Sequence, residues 1–480
     1  MDIVSETLPP ALLEVREGAV RELLEWAPDL VELGEVFQSS GHEIAAVGGC
    51  VRDAILGDFT RADIDLTTDA TPEETLALVG GWADAVWDVG IRFGTIGLRK
   101  GGQTWEITTY RTDTYASDSR KPEIQFGKSL DGDLIRRDFT INAMAVRLPS
   151  REFVDLGNGL IDLAGRKLRT PESPEQSFSD DPLRMMRAAR FVSQLGASVA
   201  PDALEAMTAM ANRLSIVSAE RIREELCRLL LGQFPRRGLE VLVDTGLAEQ
   251  VVPELPLLKL EVDEHHHHKD VYEHSLTVLD QAIALEDGEP DLTLRLAAVM
   301  HDVGKPKTRR FEAGGGVSFH HHEVVGARMT TKRMRKLRFS NEEIDDVSRL
   351  VELHLRFHGY GTGEWSDSAV RRYVRDAGHL LPRLHKLTRA DCTTRNRRRA
   401  RALQRAYDGL EQRIDRLAEE EELASIRPEL DGNEIMTLLG LQPGPEVGQA
   451  YQFLLNLRLD QGPMGPDAAE TALREWWAQQ

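Results

Sequence analysis

The stretch VGGCVRDAILGDFTRADIDLTT, residues 47–68, runs through a glycine turn, a short helix and a strand, and its reading decides the fold of the front of the chain. EIAAV (43–47) is a strand that exits into Gly48-Gly49, a strand-to-helix turn where backbone amides can approach an anion. Arg52 falls in the first helical turn, and Gly57 ends the helix. In ADIDLTT (62–68) the side chains of a strand alternate, so Asp63 and Asp65 share one face while Ile64 turns to the core. Two carboxylates so placed can hold hard cations between them. TIGLRK (95–100) and TWEITTY (104–110) read as further strands, with a helix near 72–79. Glu106 on TWEITTY is a candidate third carboxylate.

Outward from this stretch, the apolar spacing predicts one helix from Leu12 to Phe37, between Pro9-Pro10 and Gly41. Residues 112–134 lack periodicity and read as a mobile loop beside the site. Beyond Pro174 strand signals fade and amphipathic helices follow one another, so the fold class is α+β: a mixed sheet with helices, then an all-helical remainder. Breaks fall at Pro253-Glu254-Leu255-Pro256 and Ile426-Arg427-Pro428.

A length of 480 residues accommodates about three or four domains. No apolar run is long enough for a membrane helix, the N-terminus shows no secretory signal, and the three cysteines, Cys50, Cys227 and Cys392, suit a reducing cytoplasm. A net charge of −20 argues on its face against a nucleic-acid partner. Basic residues nevertheless cluster at 331–339 and 393–405, and acids at 418–423. Such blocks are often solvated helix faces, and they count only beside other signs.

The segment DDPLR (180–184) supplies one. Asp181 and Arg184 lie three apart at the start of a helix beginning near Pro182, so both can face one pocket. A carboxylate only accepts and a guanidinium only donates, which matches a base edge carrying an amino group beside a ring-nitrogen acceptor. Cytosine and adenine present that edge, whereas uracil and guanine repel both contacts.

These residues, together with RRDFTINAMA (136–145), resemble the nucleotidyltransferases of the polymerase β superfamily, specifically the class II tRNA nucleotidyltransferases, or CCA-adding enzymes, and their poly(A) polymerase relatives. The resemblance spans about residues 40–230. It implies a reaction in which a tRNA 3′-hydroxyl displaces pyrophosphate from CTP or ATP, with Mg²⁺ held by Asp63 and Asp65. It assigns Gly48, Gly49 and Arg52 to the triphosphate, Arg137 and Asp138 to phosphate and sugar, and Arg187 and Arg190 to further nucleotide contacts. The plainer alternatives are capping and turn bonds for Asp138 and Asn142, and bridges from Arg187 and Arg190 to Glu220 or Glu224. DDPLR resembles the Glu-Asp-x-x-Arg motif of the class II enzymes, with Asp180 where the motif has Glu, which puts support of Arg184 in question.

Further on, HKDVYEHS (268–275), AAVMHDVGKPKT (297–308), FHHHEVVGA (319–327), VELHLRF (351–357) and TRADCTTRN (388–396) form a second group of side chains suited to transition metals. Its pattern resembles the HD phosphohydrolase superfamily and places His274, His301, Asp302 and Asp391 as ligands of a metal such as Mn²⁺ or Ni²⁺. His322 and His354 are candidates for a second metal or for phosphate, and His265–His267 read as loop. The implied order is a nucleotidyltransferase head with its N-terminal helix (1–170), a helical neck (171–255), an HD domain (256–395) and a helical tail (396–480). The basic clusters at 332–338 and 395–405 would then face tRNA phosphates. Poly(A) polymerase, an HD hydrolase with a nucleotide-binding front domain, and a non-catalytic RNA-binding scaffold are the rival readings.

Overall fold

The computed structural model describes residues 9–60, 63–91, 94–114, 123–127, 129–259, 271–312, 317–357, 365–392, 397–421 and 427–480. The chain separates into two compact units, 1–251 and 252–480.

The first unit opens with two helices, α1 (Pro10–Trp26) and α2 (Asp29–Ser39), where the sequence predicts one. Pro28 is the cause: it has no N–H to continue the ladder and holds Ala27 out of the helical region, at φ −130° and ψ 72°. There follow β1 (Ile44–Val47), α3 (Gly49–Leu56), β2 (Asp63–Thr68), α4 (Pro72–Val79), β3 (Ala85–Trp87), β4 (Thr95–Lys100) and β5 (Gln103–Thr109). A Thr71–Glu74 capping box starts α4.

Part of the predicted loop is ordered structure. β6 (Arg111–Thr114) pairs antiparallel with β7 (Glu123–Phe126), and Ser129 caps α5 (Leu130–Ile135). Residues 115–122 and 128 lie outside the described residues. Two strands without a clear sequence signal, β8 (Met144–Leu148) and β9 (Phe153–Asp155), complete a seven-stranded sheet of order β3-β4-β5-β2-β1-β8-β9. Within it only β2 and β5 run parallel, and their register sets Asp65 beside Glu106. Ile64, Leu66, Trp105 and Ile107 fill the opposite face, almost wholly buried. The acids are therefore turned to the other face, Asp63 and Glu106 exposed and Asp65 half-buried, because their neighbours in sequence are anchored in the core.

The unit continues with α6 (Gly159–Ala164), β10 (Lys167–Leu168), α7 (Pro174–Asp180), α8 (Leu183–Leu195), β11 (Ser198–Val199), α9 (Pro201–Met210), α10 (Ala219–Leu230), α11 (Pro235–Asp244) and α12 (Ala248–Val251). α8 packs against both α10 and α11, burying Met185, Met186, Ala189 and Val192.

Among the described residues the second unit is helical apart from one hairpin of two-residue strands, β12 (Arg310–Phe311) with β13 (Val317–Ser318). Its helices are α13 (Val271–Ile283), α14 (Leu292–Met300), α15 (Lys305–Thr308), α16 (His322–Lys336), α17 (Asn341–Leu353), α18 (Asp367–Ala377), α19 (Leu381–Asp391), α20 (Arg397–Glu421), α21 (Gly432–Leu439), α22 (Pro445–Gln461) and α23 (Pro466–Trp477). The last three share a core of Leu430, Ile435, Ala450, Leu454, Ala469 and Leu473. Among the described residues, no helix is long and apolar enough to cross a membrane.

Candidate active site and metal centre

The front site begins at the turn after β1. Gly48 adopts φ 74°, which favours glycine, and a Cβ there would come within 3.1 Å of the Arg137 guanidinium. Gly48, Gly49, Arg52, Asp65, Arg137, Asp138, Asn142, Asp181, Arg184, Arg187 and Arg190 all line one cavity of about 390 Å³, with Phe191 and Arg228. Asp63 and Glu106 are not in that wall: with Asp65, Gly49, Trp26 and Phe59 they line a neighbouring cavity of about 250 Å³. Burial raises Asp65 to about 6, with Glu106 and Asp63 adding to the rise against the opposing charge of Arg137. This carboxylate cluster is an environment that a divalent cation would relieve, and all three donors are the hard oxygens such an ion takes.

The cavity is already braced by internal pairs. Arg52 donates to Asp53 Oδ1 (2.8 Å) and to Asn142 Oδ1 (2.6 Å), while Asn142 Nδ2 donates to Asp138 Oδ1 (3.0 Å). Arg187 donates through Nε to Asp138 Oδ2 at 2.7 Å. Burial alone would raise the Asp138 carboxyl, but Arg187, the Asn142 amide and Arg184 hold it well below the usual carboxylate range. Arg137 is tied to Asp133 at 3.0 Å.

Asp181 is not on a helix with Arg184, as the sequence suggests. It stands in an extended link (φ −142°, ψ 101°) between α7 and α8, and its Oδ1 accepts from Leu183 N at 3.0 Å. Arg184 donates to Ser177 Oγ (2.8 Å) and to the Arg136 carbonyl (2.5 Å). Asp180 does not touch it: its carboxylate accepts from Gln176 Nε2 at 2.7 Å.

Arg190 pairs with neither of the two acids considered from the sequence but lies 3.2 Å from Glu225, one residue further along α10. Burial, then the neighbouring Arg187 charge, lower Arg190 to about 10. The sequence reading also missed Arg221, whose Nη2 donates to Asp181 Oδ2 at 2.9 Å, and Arg228. Arg221, Glu225 and Arg228 sit at i, i+4 and i+7, a spacing that could have exposed them as one face of α10.

In the second unit, α13, α14, α16, α17 and α19 converge on the histidines. His274, His301 and Asp391 form one potential cation nest, and Asp302, His322 and His354 another. His274 Nε2 lies 2.9 Å from Asp391 Oδ1 and 3.5 Å from Asp302 Oδ2, and His301 Nε2 is 3.3 Å from that Oδ2. The other Asp302 oxygen, Oδ1, lies 3.2 Å from His322 Nε2 and 4.0 Å from His354 Nε2. The two oxygens of Asp302 thus face the two nests.

The tautomers tell what belongs between them. Nδ1 of His301, His322 and His354 lies 2.8, 2.8 and 2.7 Å from the carbonyls of Ala298, Phe319 and Val351. A carbonyl only accepts, so Nδ1 carries the proton and each Nε2 lone pair points at carboxylates. Among the described residues, the buried Nε2 atoms of His322 and His354 have no hydrogen-bond partner. Lone pairs facing carboxylate oxygens across about 3–4 Å fit metal cations between them. Burial lowers His301, but Asp302 and Asp391 outweigh it and raise it, and that same negative field favours a metal ion. Burial, then the His301 charge, lower His354 to about 4. Lys305 Nζ sits 2.5 Å from Asp302 Oδ2.

A glycine permits this assembly. A Cβ on Gly304 would fall 2.1 Å from the His322 carbonyl, so only glycine lets the turn after His301-Asp302 lie against the start of α16. The run His265–His267 lies outside the described residues. Of the basic cluster at 332–338, Arg333 is held by Glu254 at 2.9 Å, while Lys332, Arg335, Lys336 and Arg338 are exposed. Arg398, Arg401 and Arg405 are exposed on α20, and residues 395 and 396 lie outside the described set.

A carboxylate-bearing sheet whose cavity is closed by an arginine-rich helix defines a nucleotidyltransferase head, and the comparisons agree. Residues 44–169 match the poly A polymerase head domain, 196–258 the probable RNA and SrmB-binding site of polymerase A, and 271–396 the HD domain. The chain is 34% identical over 447 residues to the A-adding tRNA nucleotidyltransferase of Deinococcus radiodurans, covering 91% of this chain and 96% of that one. It is 41% identical over 229 residues to the CCA-adding enzyme of Levilactobacillus brevis, covering 47% and 56%. Its fold superposes on the CTP complex of the Bacillus stearothermophilus CCA-adding enzyme with TM-score 0.67 at 23% identity, over 94% of this chain and 98% of that one. The chain belongs to the class II tRNA nucleotidyltransferases, the CCA-adding enzyme family, and carries an HD domain.

Proposed function

We propose that the enzyme extends tRNA by C, C and A, joining each nucleotide from CTP or ATP to the RNA 3′-hydroxyl and releasing pyrophosphate. One observation carries this reading: Asp181 and Arg184 line the same cavity as Gly48, Gly49, Arg52 and Asp65, so base selection and phosphate handling open onto one space. Asp181 accepts from the amino group of cytosine or adenine, and Arg184 donates to the adjacent ring nitrogen. Gly48, Gly49, Arg52 and Arg137 cradle the triphosphate, Asp138 orients Arg187 and the sugar, and Arg190 extends the cationic wall. Asp63 and Asp65 would hold Mg²⁺, with Glu106 as a third ligand or as the group that orients the attacking hydroxyl, and the ion would lower that hydroxyl's pKa and neutralise the leaving group.

The test is tRNA lacking its 3′ end, given CTP and ATP separately and together, with products sized on a gel. Addition of C, C and A that then stops supports the reading. Long A tracts from ATP alone would make the protein a poly(A) polymerase, and binding without pyrophosphate release would make it a scaffold. A second reading, addition of the terminal A alone, is favoured by the name of the Deinococcus radiodurans relative that matches along nearly its whole length. It predicts AMP incorporation only on tRNA already ending in CC.

For the second unit we propose Mn²⁺ or Ni²⁺ at His274, His301, Asp302 and Asp391, with His322, His354 and Asp302 as a further metal or phosphate site, and phosphohydrolase activity on RNA ends. A bound metal of this kind would activate water for attack on phosphorus. Equal phosphate release from phosphate-ended RNA by wild-type and His301→Ala protein, with either metal added, would remove this activity. The proposed division is head 1–170, neck 171–255, HD domain 256–395 and tail 396–480, in a cytoplasmic enzyme.

A further inference from the structure

Base selection by a single carboxylate requires that its plane be fixed. Rotation about one bond would otherwise turn its lone pairs away from the amino group it is meant to recognise. In this structure both oxygens of Asp181 are held. Oδ1 accepts from Leu183 N at 3.0 Å, and Oδ2 accepts from Arg221 Nη2 at 2.9 Å. The backbone bond lies within the link itself. The second crosses from the first turn of α10, where Ser218 Oγ accepts from Arg221 N at 3.4 Å. Arg221 is not in the cavity wall, and about half of its side chain is exposed at 48%. Further along the same face, Glu225 meets Arg190 and Arg228 lines the cavity.

We propose that Arg221 is a positioning residue for nucleotide selection: it clamps the Asp181 carboxylate so that its remaining lone pairs face the amino group of cytosine or adenine. A carboxylate offers about four acceptor sites, so two held bonds leave two for the base. Without the clamp the carboxylate turns aside, and the carbonyl edge of uracil or guanine enters with less repulsion. This inference rests on the assignment of Asp181 and Arg184 as the base-reading pair.

Single-turnover extension of tRNA with each of the four nucleoside triphosphates tests it, using wild-type, Arg221→Ala, Arg221→Lys and Asp181→Asn proteins. Arg221→Ala is expected to narrow the preference for CMP over UMP and AMP over GMP roughly tenfold, equivalent to about 1.4 kcal/mol. Arg221→Lys, which still donates one bond, is expected to keep most of it. Each readout is a ratio within one preparation, so partial unfolding of a variant cancels. A uniform loss of rate with all four nucleotides, or unchanged ratios, overturns the role of Arg221. If Asp181→Asn collapses the ratios while Arg221→Ala does not, this inference alone fails. If Asp181→Asn also keeps them, the base-reading pair itself is wrong and the inference falls with it.

Discussion

The cavity at the head and the histidine cluster of the second unit are built from opposite donor sets. The first is lined by six arginines, Arg52, Arg137, Arg184, Arg187, Arg190 and Arg228, which outnumber its carboxylates Asp65, Asp138 and Asp181. The second contains imidazole lone pairs and carboxylates, with Lys305 beside Asp302. Internal pairing uses up part of each set. In the head Arg52, Arg137, Arg187 and Arg190 are matched by Asp53, Asp133, Asp138 and Glu225, and Asp181 by Arg221 from outside the wall, which leaves Arg184 and Arg228 against Asp65, a small cationic surplus suited to a polyphosphate. In the histidine cluster no such match exists among the described residues for the Nε2 atoms of His322 and His354, which leaves a demand for cations. The sign of the ligand is therefore read from what local pairing leaves over. A chain charge of −20 says nothing of either site.

The largest expected effect breaks the head and spares the cluster. Asp63→Ala should reduce CMP and AMP incorporation by at least about 10³-fold, roughly 4 kcal/mol of barrier, while release from phosphate-ended RNA stays within about twofold. The converse is His301→Ala. It removes a proposed metal ligand whose Nδ1 is already locked to Ala298, so metal affinity of the second unit should fall by more than about 10–100-fold, measured as metal retained after dialysis. Nucleotide incorporation should not change. A His301→Ala protein that lost both activities would show that the two sites are not independent.

The two sites also differed in how much of them the sequence disclosed. The acidic strand was legible because side-chain alternation fixes which residues share a face, and the parallel register then placed Glu106 beside Asp65. The histidine cluster was legible through the resemblance of its His…His-Asp…Asp pattern to the HD superfamily, and its six candidates gather in two groups of three. What escaped was partner choice across helices. Nothing within DDPLR says that Asp180 turns to Gln176 or that Asp181 is held by Arg221 forty residues on. The helix predicted through Pro28 and the loop predicted over β6, β7 and α5 failed for other reasons. Apolar spacing outweighed a proline in the first, and short polar strands carry little periodicity in the second.

A smaller effect sharpens the account of the head's internal pairing. The Asp138 carboxyl is held below its ordinary value, so its contribution to stability is complete above the unfolded pKa near 4 and is lost as pH falls through the folded value. Asp138→Asn should cost roughly 1–3 kcal/mol at neutral pH, discounted because a third of the Arg187 side chain is exposed. In thermal unfolding the gap between wild-type and variant should be steady from about pH 5 to 8 and shrink below about pH 4. A gap that widened on acidification would mean that Arg187 does not stabilise the charged form.

The smallest effect concerns the residue that departs from the family motif. If the first acid of DDPLR supported Arg184, shortening Glu to Asp would weaken base selection, and removing it altogether would weaken it further. Here Arg184 is instead held by Ser177 and the Arg136 carbonyl, and Asp180 spends its carboxylate on Gln176 at the surface. Asp180→Ala should therefore change the CMP:UMP and AMP:GMP ratios by less than about twofold, the range of a surface substitution. Ser177→Ala, which removes a direct donor–acceptor contact to Arg184, should alter them more. The reverse order would mean that Asp180 swings to Arg184 once a nucleotide is bound, and that the motif's first carboxylate acts through aspartate as it would through the longer glutamate.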